Sequence, residues 1–424
     1  MQDARGASGL GQGKHAEAGA GSGRIADALP SPRTGVAGAG IAALSVLGYL
    51  IVSGQGVQQG VLFMLGILLG VALFHARFGF TSAFRQLAAV GQGAGLKAHM
   101  LMLAVASLIF APILSAGVGF FGVQTEASIS PIGVSVILGA FIFGIGMQLG
   151  GACASGTLYT IGSGHTAILI TLGGFILGSV IGAWHWGFWT QDAFNWFEFG
   201  LGETGLGYAG GALVQLVLIA AIFGAVILVS RIKNPPPVSR KPSASGAMRI
   251  IRGTWPLWVG ALVLAGLNAA TLLTKGSPWG VTSAFALWGS KIAAALGVNV
   301  ESWTYWSGER AADLDQSILA DATTVMNFGI IGGALVAAAV GGAFVLHRRI
   351  PMKTVVAAII GGILMGYGAR LAYGCNIGAY FGGVASLSLH GWVWAAMALL
   401  GTYGGLKLRP LFGLVVPKPK DSSC

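Results

Sequence analysis

The sequence predicts an all-α polytopic membrane protein of about ten transmembrane helices, arranged as two inverted repeats with re-entrant or broken helices. Three observations predict it. Only 9% of the 424 residues are charged and 54% are hydrophobic, whereas a soluble domain carries about 25% charged residues. Apolar runs long enough to cross a bilayer, about 20 residues each, recur along the whole chain. One Gly-rich phrase occurs twice, as GIGMQLGGACASGTLY from residue 144 and as GYGARLAYGCNIGAYF from residue 366.

Residues 1–33 are rich in Gly, Ala and Ser, with Arg5, Lys14, Arg24 and Arg33. They hold no apolar core of the kind a secretory signal needs and read as a disordered cytoplasmic tail. Apolar spans follow near 35–53, 60–76, 98–115, 131–150, 165–185, 208–230, 255–274, 323–346, 354–372 and 388–405. Two shorter, Gly-punctuated stretches near 78–95 and 279–297 read as re-entrant or interfacial helices.

The connections sort by charge. Residues 231–252 carry Arg231, Lys233, Arg240, Lys241, Arg249 and Arg252 and no acid; 347–353 carry Arg348, Arg349 and Lys353; the end of the chain carries Lys407, Arg409, Lys418 and Lys420. The alternate connections hold Glu126, then Asp192, Glu198 and Glu203, then Glu301, Glu309, Asp313, Asp315 and Asp321 against Arg310. An excess of Lys and Arg marks the cytoplasmic side, so both termini are expected there. The net charge of +11 is thus a topology signal, not a nucleic-acid surface. The expected organisation is a first membrane repeat over 34–230, a basic cytoplasmic linker over 231–252 that includes Pro235, Pro236 and Pro237, a second repeat over 253–405 and a tail over 406–424.

Both copies of the phrase fit G-x-G-x-x-L-x-x-x-C-x-x-G, through Gly144, Gly146, Leu149, Cys153 and Gly156, and Gly366, Gly368, Leu371, Cys375 and Gly378. Every pair is offset by the same distance as Cys153 and Cys375. FGFTSAF at 78–84 and WGVTSAF at 279–285 form a second matching pair. The two offsets differ by about the length of the acidic 299–321 stretch, which reads as an insertion. About five spans per half is odd, so the halves face opposite ways, a transporter architecture whose path lies where the repeats meet.

Gly-rich backbone at membrane depth must be buried in protein or line a cavity. Gly151, Gly156, Gly374 and Gly378 permit a helix break, and a half-helix start offers N–H groups to an anion. Cys153 and Cys375 each add a weak S–H donor and a polarizable sulfur, chemistry suited to a sulfur-bearing anion; a small buried packing residue is the plainer alternative. Arg370, which matches Gln148, is a charged residue at the end of a span and so a functional candidate, either drawing an anion in or snorkelling to the interface. Arg77 and Arg85 flank FGFTSAF as an electropositive mouth or as ordinary anchors. Thr81, Asn376, Tyr159 and Thr157 read as polar contacts or as packing and capping groups. His390, beside Trp392, reads as an interfacial anchor. Cys424 is either a thiol for partner exchange or a bystander. Three cysteines with no CxxC or HExxH spacing, seven scattered His and no G-x-x-x-x-G-K-[ST] predict no metal, no cofactor and no ATP hydrolysis.

GIGMQLGGACASGTLY, GARLAYGCNIGAYFGG with SLHGW, and FTSAFR resemble the YeeE/YedE family of sulfur-transport membrane proteins across nearly all of residues 60–405. The resemblance implies two repeats, thiosulfate uptake through an hourglass-shaped path, cysteines that touch the ion's sulfur, and a small cytoplasmic sulfur-carrier partner. It places two path cysteines at Cys153 and Cys375. The family's third cysteine falls where this chain has Gly79, which leaves the ion to backbone amides or Thr81, or points to a different substrate. GARLAYGCN and SLHGW also resemble the branch associated with selenium metabolism. The expected function is a non-enzymatic permease of the bacterial inner membrane that imports thiosulfate or a related sulfur anion. A selenium-related substrate, a thiol or persulfide relay, and a membrane anchor for a soluble enzyme are the alternatives.

Overall fold

The structure, a computed structural model, describes residues 30–235, 246, 248–346 and 350–418. Most of the expected N-terminal tail, Pro236, Pro237, Arg240, Lys241, Arg348, Arg349, Lys420 and Cys424 lie outside the described residues. The helices are α1 (Thr34–Gln55), α2 (Val57–Ala76), α3 (Phe80–Val90), α4 (Ala94–Ala116), α5 (Val134–Leu149), α6 (Ala154–Gly162), α7 (Ala167–Trp184), α8 (Trp186–Trp189), α9 (Gly207–Lys233), α10 (Met248–Arg252), α11 (Leu257–Lys275), α12 (Thr282–Ala295), α13 (Ala311–Asp315), α14 (Ala322–Val340), α15 (Met352–Leu371), a π-helix (Asn376–Gly382) running into α16 (Gly383–Ala385), and α17 (Leu389–Leu408). Among the described residues there is no strand, only isolated bridges such as Gly200 with Ser388.

Each of the ten expected spans has its helix. Among the described residues nine helical stretches are long and apolar enough to cross a membrane. The remaining long helix, α17, spans 20 residues but carries His390, Tyr403 and Lys407. It packs along α5, and protein covers His390 while Tyr403 and Lys407 stay exposed. The two short Gly-punctuated stretches form α3 and α12.

The packing exchanges the halves. Taking α1, α2, α3, α4, α5 and α7 as counterparts of α9, α11, α12, α14, α15 and α17, α7 packs on α15 as α17 packs on α5. The α2–α14 pair mirrors α11–α4, and α1 lies on α14 as α9 lies on α4. Pairs α2–α11 and α5–α15 sit on the exchange axis. Each half has five long helices, so the second enters the bundle from the opposite face. Neither half buries its own apolar faces; each is completed by the other.

Glycine makes this contact possible, since lipid gives no hydrophobic drive between helices and close backbone approach supplies the attraction instead. Gly66 and Gly70 of α2 lie against the Met326 and Ile330 carbonyls of α14, while Gly329 and Gly333 of α14 lie against Phe63 and Ile67 of α2. The same reciprocal G-x-x-x-G pairing joins Gly174 and Gly178 of α7 to Gly362 and Gly366 of α15. A Cβ at Gly70, Gly178 or Gly366 would run into a facing carbonyl oxygen.

Contacts at the helix ends mark two faces. Arg33 N–H to Ala339 O (2.8 Å) and Trp255 N–H to His75 O (2.9 Å) lie at one, and Gln58 Nε2–H to Thr274 O (2.8 Å) and Leu389 N–H to Phe199 O (3.0 Å) at the other. Lys233, Arg249, Arg252 and Lys353 fall at the first; the acidic connections fall at the second. The insertion caps this second face, its Val300, Tyr305 and Trp306 packing on Ala183, Ala286 and Leu287.

Gly366→Leu is expected to lower stability by about 2 kcal/mol or more through forced separation of α7 and α15. Gly224→Leu, with nothing within 4 Å of its Cβ position, is expected to leave stability unchanged. Thermal melting of the detergent-purified protein checks both.

Candidate functional site

Two helices stop inside the bundle. In the first half α5 ends at Leu149, Gly151 turns the chain left-handed (φ +84°), and Cys153 becomes the N-cap of α6. In the second half α15 ends at Leu371, and Tyr373 occupies the position of Gly151 with φ +56°. Gly374 follows at φ +152°, and Cys375 caps the π-helix. A left-handed Tyr costs about 1–2 kcal/mol. Its hydroxyl donates to Asn195 Oδ1 (2.8 Å) and its ring meets Trp186 edge-on at 5.4 Å, contacts that hold the turn without glycine.

The two thiols occupy equivalent places with different local partners. Cys153 Sγ lies 3.6 Å from Ser155 Oγ, and the Cys153 carbonyl accepts from Thr157 N–H (2.8 Å) and Oγ1–H (2.9 Å). The Thr157 hydroxyl thus bonds back to the first carbonyl of α6, and the N-cap itself is Cys153. Cys375 Sγ accepts from Ile377 N–H (3.4 Å), and its carbonyl accepts from Ala379 N–H (2.9 Å) and Tyr380 N–H (3.3 Å). Both thiols are free, at 2% and 1% exposure. The π-helix touches α6, and the Cys375 sulfur lies within electrostatic reach of Cys153 and Arg370.

The residue five positions before each cysteine is also matched in space. Gln148 Nε2–H reaches the carbonyl of Thr81 (3.5 Å) and Thr402 Oγ1 (3.4 Å). Arg370 donates from Nη2 to Thr282 Oγ1 (2.7 Å) and from Nη1 to Tyr305 Oη (2.5 Å). Thr81 and Thr282 are themselves counterparts, in the first turns of α3 and α12. Each re-entrant helix thus meets the polar residue that precedes the break in its own half. Arg370 is only 6% exposed and has no carboxylate among its hydrogen-bond partners, so its charge stays available in the low dielectric.

Unsatisfied polar atoms gather here. Both amide atoms of Asn376, Gln148 Oε1, Thr81 Oγ1 and Arg370 Nε are buried without a hydrogen-bond partner. Such an atom costs about 1–3 kcal/mol, so a polar guest bound by these atoms repays the cost. Room exists beside both breaks. Gly151 is exposed, and Gly378, half-buried, has nothing within 4 Å of its Cβ position. Gly156 and Gly374 are tight instead: a Cβ would come 3.3 Å from Cys153 Sγ at the first and 2.8 Å from Ala379 N at the second.

The structure draws Cys153, Cys375, Thr81, Asn376, Arg370 and the four glycines to the two breaks. His390 is not an interfacial anchor: it is 1% exposed, and its Nε2 bonds the Ala372 carbonyl (3.1 Å) at the second break. Its neighbour Trp392 suggested the membrane surface, but a helix start packed on the break buries the ring. Arg77, exposed, and Arg85, half-buried, lie within electrostatic reach of Tyr159 on α6. Arg409 donates to the Gln148 carbonyl that ends α5 and to Val415 O. Gly79 is the N-cap of α3, and Ser82 Oγ, donating to Gly79 O (3.0 Å), fills the space a Cβ there would take. A hydroxyl therefore stands at that helix start.

Sequence reasoning missed Thr282 and Tyr305. Thr282 was detectable from the repeated T-S-A-F; Tyr305 lies in the insertion and has no counterpart to reveal it.

Gly378→Leu is expected to melt like the wild type, because the space is open, and to slow labelling of Cys375 by a small methanethiosulfonate reagent several-fold. Mass spectrometry of the labelled protein reads the rate.

Comparison with known proteins gives one family, described as sulphur transport, matching residues 75–404. The chain is 34% identical over 166 residues to the Escherichia coli protein named probable transporter YedE, a match covering 38% of this chain and 41% of that protein. The matching region of the Salmonella typhimurium protein of the same name covers 43% of it. The Spirochaeta thermophila thiosulfate transporter TsuA is 29% identical over 356 residues, covering 80% of this chain and 96% of that protein. The Escherichia coli protein of that name is 26% identical over 350 residues, covering 80% and 91%.

Proposed function

The chain belongs to the sulphur-transport family, and on that footing we propose that it is a membrane permease that imports thiosulfate or a related sulfur-containing anion, with Cys153 and Cys375 as paired contacts along the path. The observation that carries this reading is the placement of the two thiols: each caps a helix that starts inside the bundle, at equivalent positions of the two halves, and the capped segments touch. The likeness to proteins named thiosulfate transporters over four-fifths of the chain supports the substrate class.

The chemistry follows from the residues. A divalent anion entering apolar surroundings needs charge and donors to replace its water. Arg370 supplies the charge, and Asn376 supplies an unpartnered amide. A thiol is a weak donor with a polarizable sulfur, so it meets the terminal sulfur of thiosulfate without holding it tightly. Helix-start N–H groups add a positive end aimed at the ion. At the first face Arg77, Arg85 and Arg409 receive it.

The asymmetry between matched positions gives a direction. Arg370 and Gln148 are counterparts, so the attractive charge is built into one half-gate and a neutral amide into the other. With the basic face cytoplasmic, in a bacterial inner membrane with both termini inside, the anion meets Arg370 first. A small cytoplasmic sulfur-carrier protein is the partner proposed at the basic face. Ser82 at the start of α3 offers a harder contact than a thiol, which favours an anion that presents oxygen there.

Uptake of radiolabelled thiosulfate into proteoliposomes tests the reading. Cys153→Ala and Cys375→Ala are each expected to cut uptake at least tenfold, which corresponds to about 1.4 kcal/mol of lost path contact. Uptake equal to wild type in both would remove the thiols from the mechanism. Arg370→Gln is expected to raise KM at low and high salt alike, because a charge buried to 6% exposure is little screened.

A further inference from the structure

The 299–321 insertion breaks the two-fold pattern, and its buried centre is an aromatic ring held between two guanidinium groups. Arg310 Cζ lies 4.7 Å from the Tyr305 ring centroid and Arg370 Cζ lies 5.5 Å from it. Tyr305 Oη accepts from Arg370 Nη1. Arg310 also lies 5.6 Å from the Trp186 ring and is exposed, whereas Tyr305 is 4% exposed. One ring therefore connects a cation in water to a cation in the bundle.

We propose that Arg310 and Tyr305 form an outer anion-capture station in series with Arg370, a step that rests on the anion path read above. Two like charges on one ring repel, and an aromatic face offers each only a weak attraction. A buried charge without a counter-ion is costly, and Thr282 and Tyr305 are both neutral. An oxyanion arriving at Arg310 relieves both costs. It passes the ring edge, displaces the phenol from Nη1 and takes the unpartnered Nε. Tyr305 then acts as a latch that occupies the Arg370 donor until an anion replaces it. Glu309 and Asp313 flank Arg310 in sequence, and Asp313 lies within electrostatic range of it. Their charge keeps capture loose, as a transit station requires. The ligand class is a small divalent oxyanion, held by charge and not by shape.

Two substitutions separate the parts. Tyr305→Phe keeps the ring and its packing on Ala183, Ala286 and Leu287 and removes only the hydroxyl. Arg310→Gln removes only the exposed charge. Calorimetric titration of the detergent-purified full chain with thiosulfate, and separately with sulfate, is expected to show several-fold tighter binding in Tyr305→Phe. Arg310→Gln is expected to bind several-fold weaker at low salt, and the gap should close at high salt. Liposome uptake should show the same changes in KM. Melting temperatures equal to wild type confirm intact folding. Titrations of both variants that match the wild type would overturn the station, whether or not uptake occurs. Shifted titrations in a protein that takes up no thiosulfate would keep the station and remove the transport reading.

Discussion

A helix that stops within a bilayer leaves backbone donors and acceptors with no water to satisfy them, and this chain makes that stop twice, after Leu149 and after Leu371. Everything else in the bundle serves the two stops. The reciprocal glycine pairs bring α2 against α14 and α7 against α15 closely enough to enclose them. The re-entrant helices α3 and α12 then deliver Thr81 and Thr282 to the polar residues just before each break. Protein surrounds most of the broken backbone and the rest borders open space beside Gly151, the two settings, burial in protein and a cavity wall, in which such breaks are tolerated.

The halves agree in backbone and differ in chemistry. Left-handed Gly151 corresponds to left-handed Tyr373, Gln148 to Arg370, and α6 to a π-helix that continues as α16. A two-fold scaffold with identical residues would bind an anion equally at both breaks and hold it. On the proposed path, a guanidinium on one side and an amide on the other would give the ion a gradient. Both thiols stay free and nearly inaccessible, which suits contact along a path better than exchange with a bulky partner.

Much of this was legible in the sequence. The ten spans, the two short Gly-rich stretches and the break positions follow from apolar length and from repeated glycines, because lipid imposes a simple rule on every span. Three features were not legible, each for a tertiary reason. Tyr373 takes a left-handed turn that its residue type disfavours, held there by Asn195 and Trp186 from the opposite half. His390 lies next to an interfacial-looking Trp yet bonds a carbonyl of the broken segment. Tyr305 reaches Arg370 across 65 residues from an insertion whose acidic composition gives no hint of a buried ring.

The central claim is that the anion passes between the two half-helix starts with its sulfur end toward the thiols. Anomalous diffraction from crystals soaked in selenosulfate, in which selenium replaces the terminal sulfur, tests it most directly. The account expects a selenium peak between Cys153 and Cys375, next to Asn376. A selenium peak elsewhere in the bundle, with the oxygens rather than the selenium facing the thiols, would contradict it.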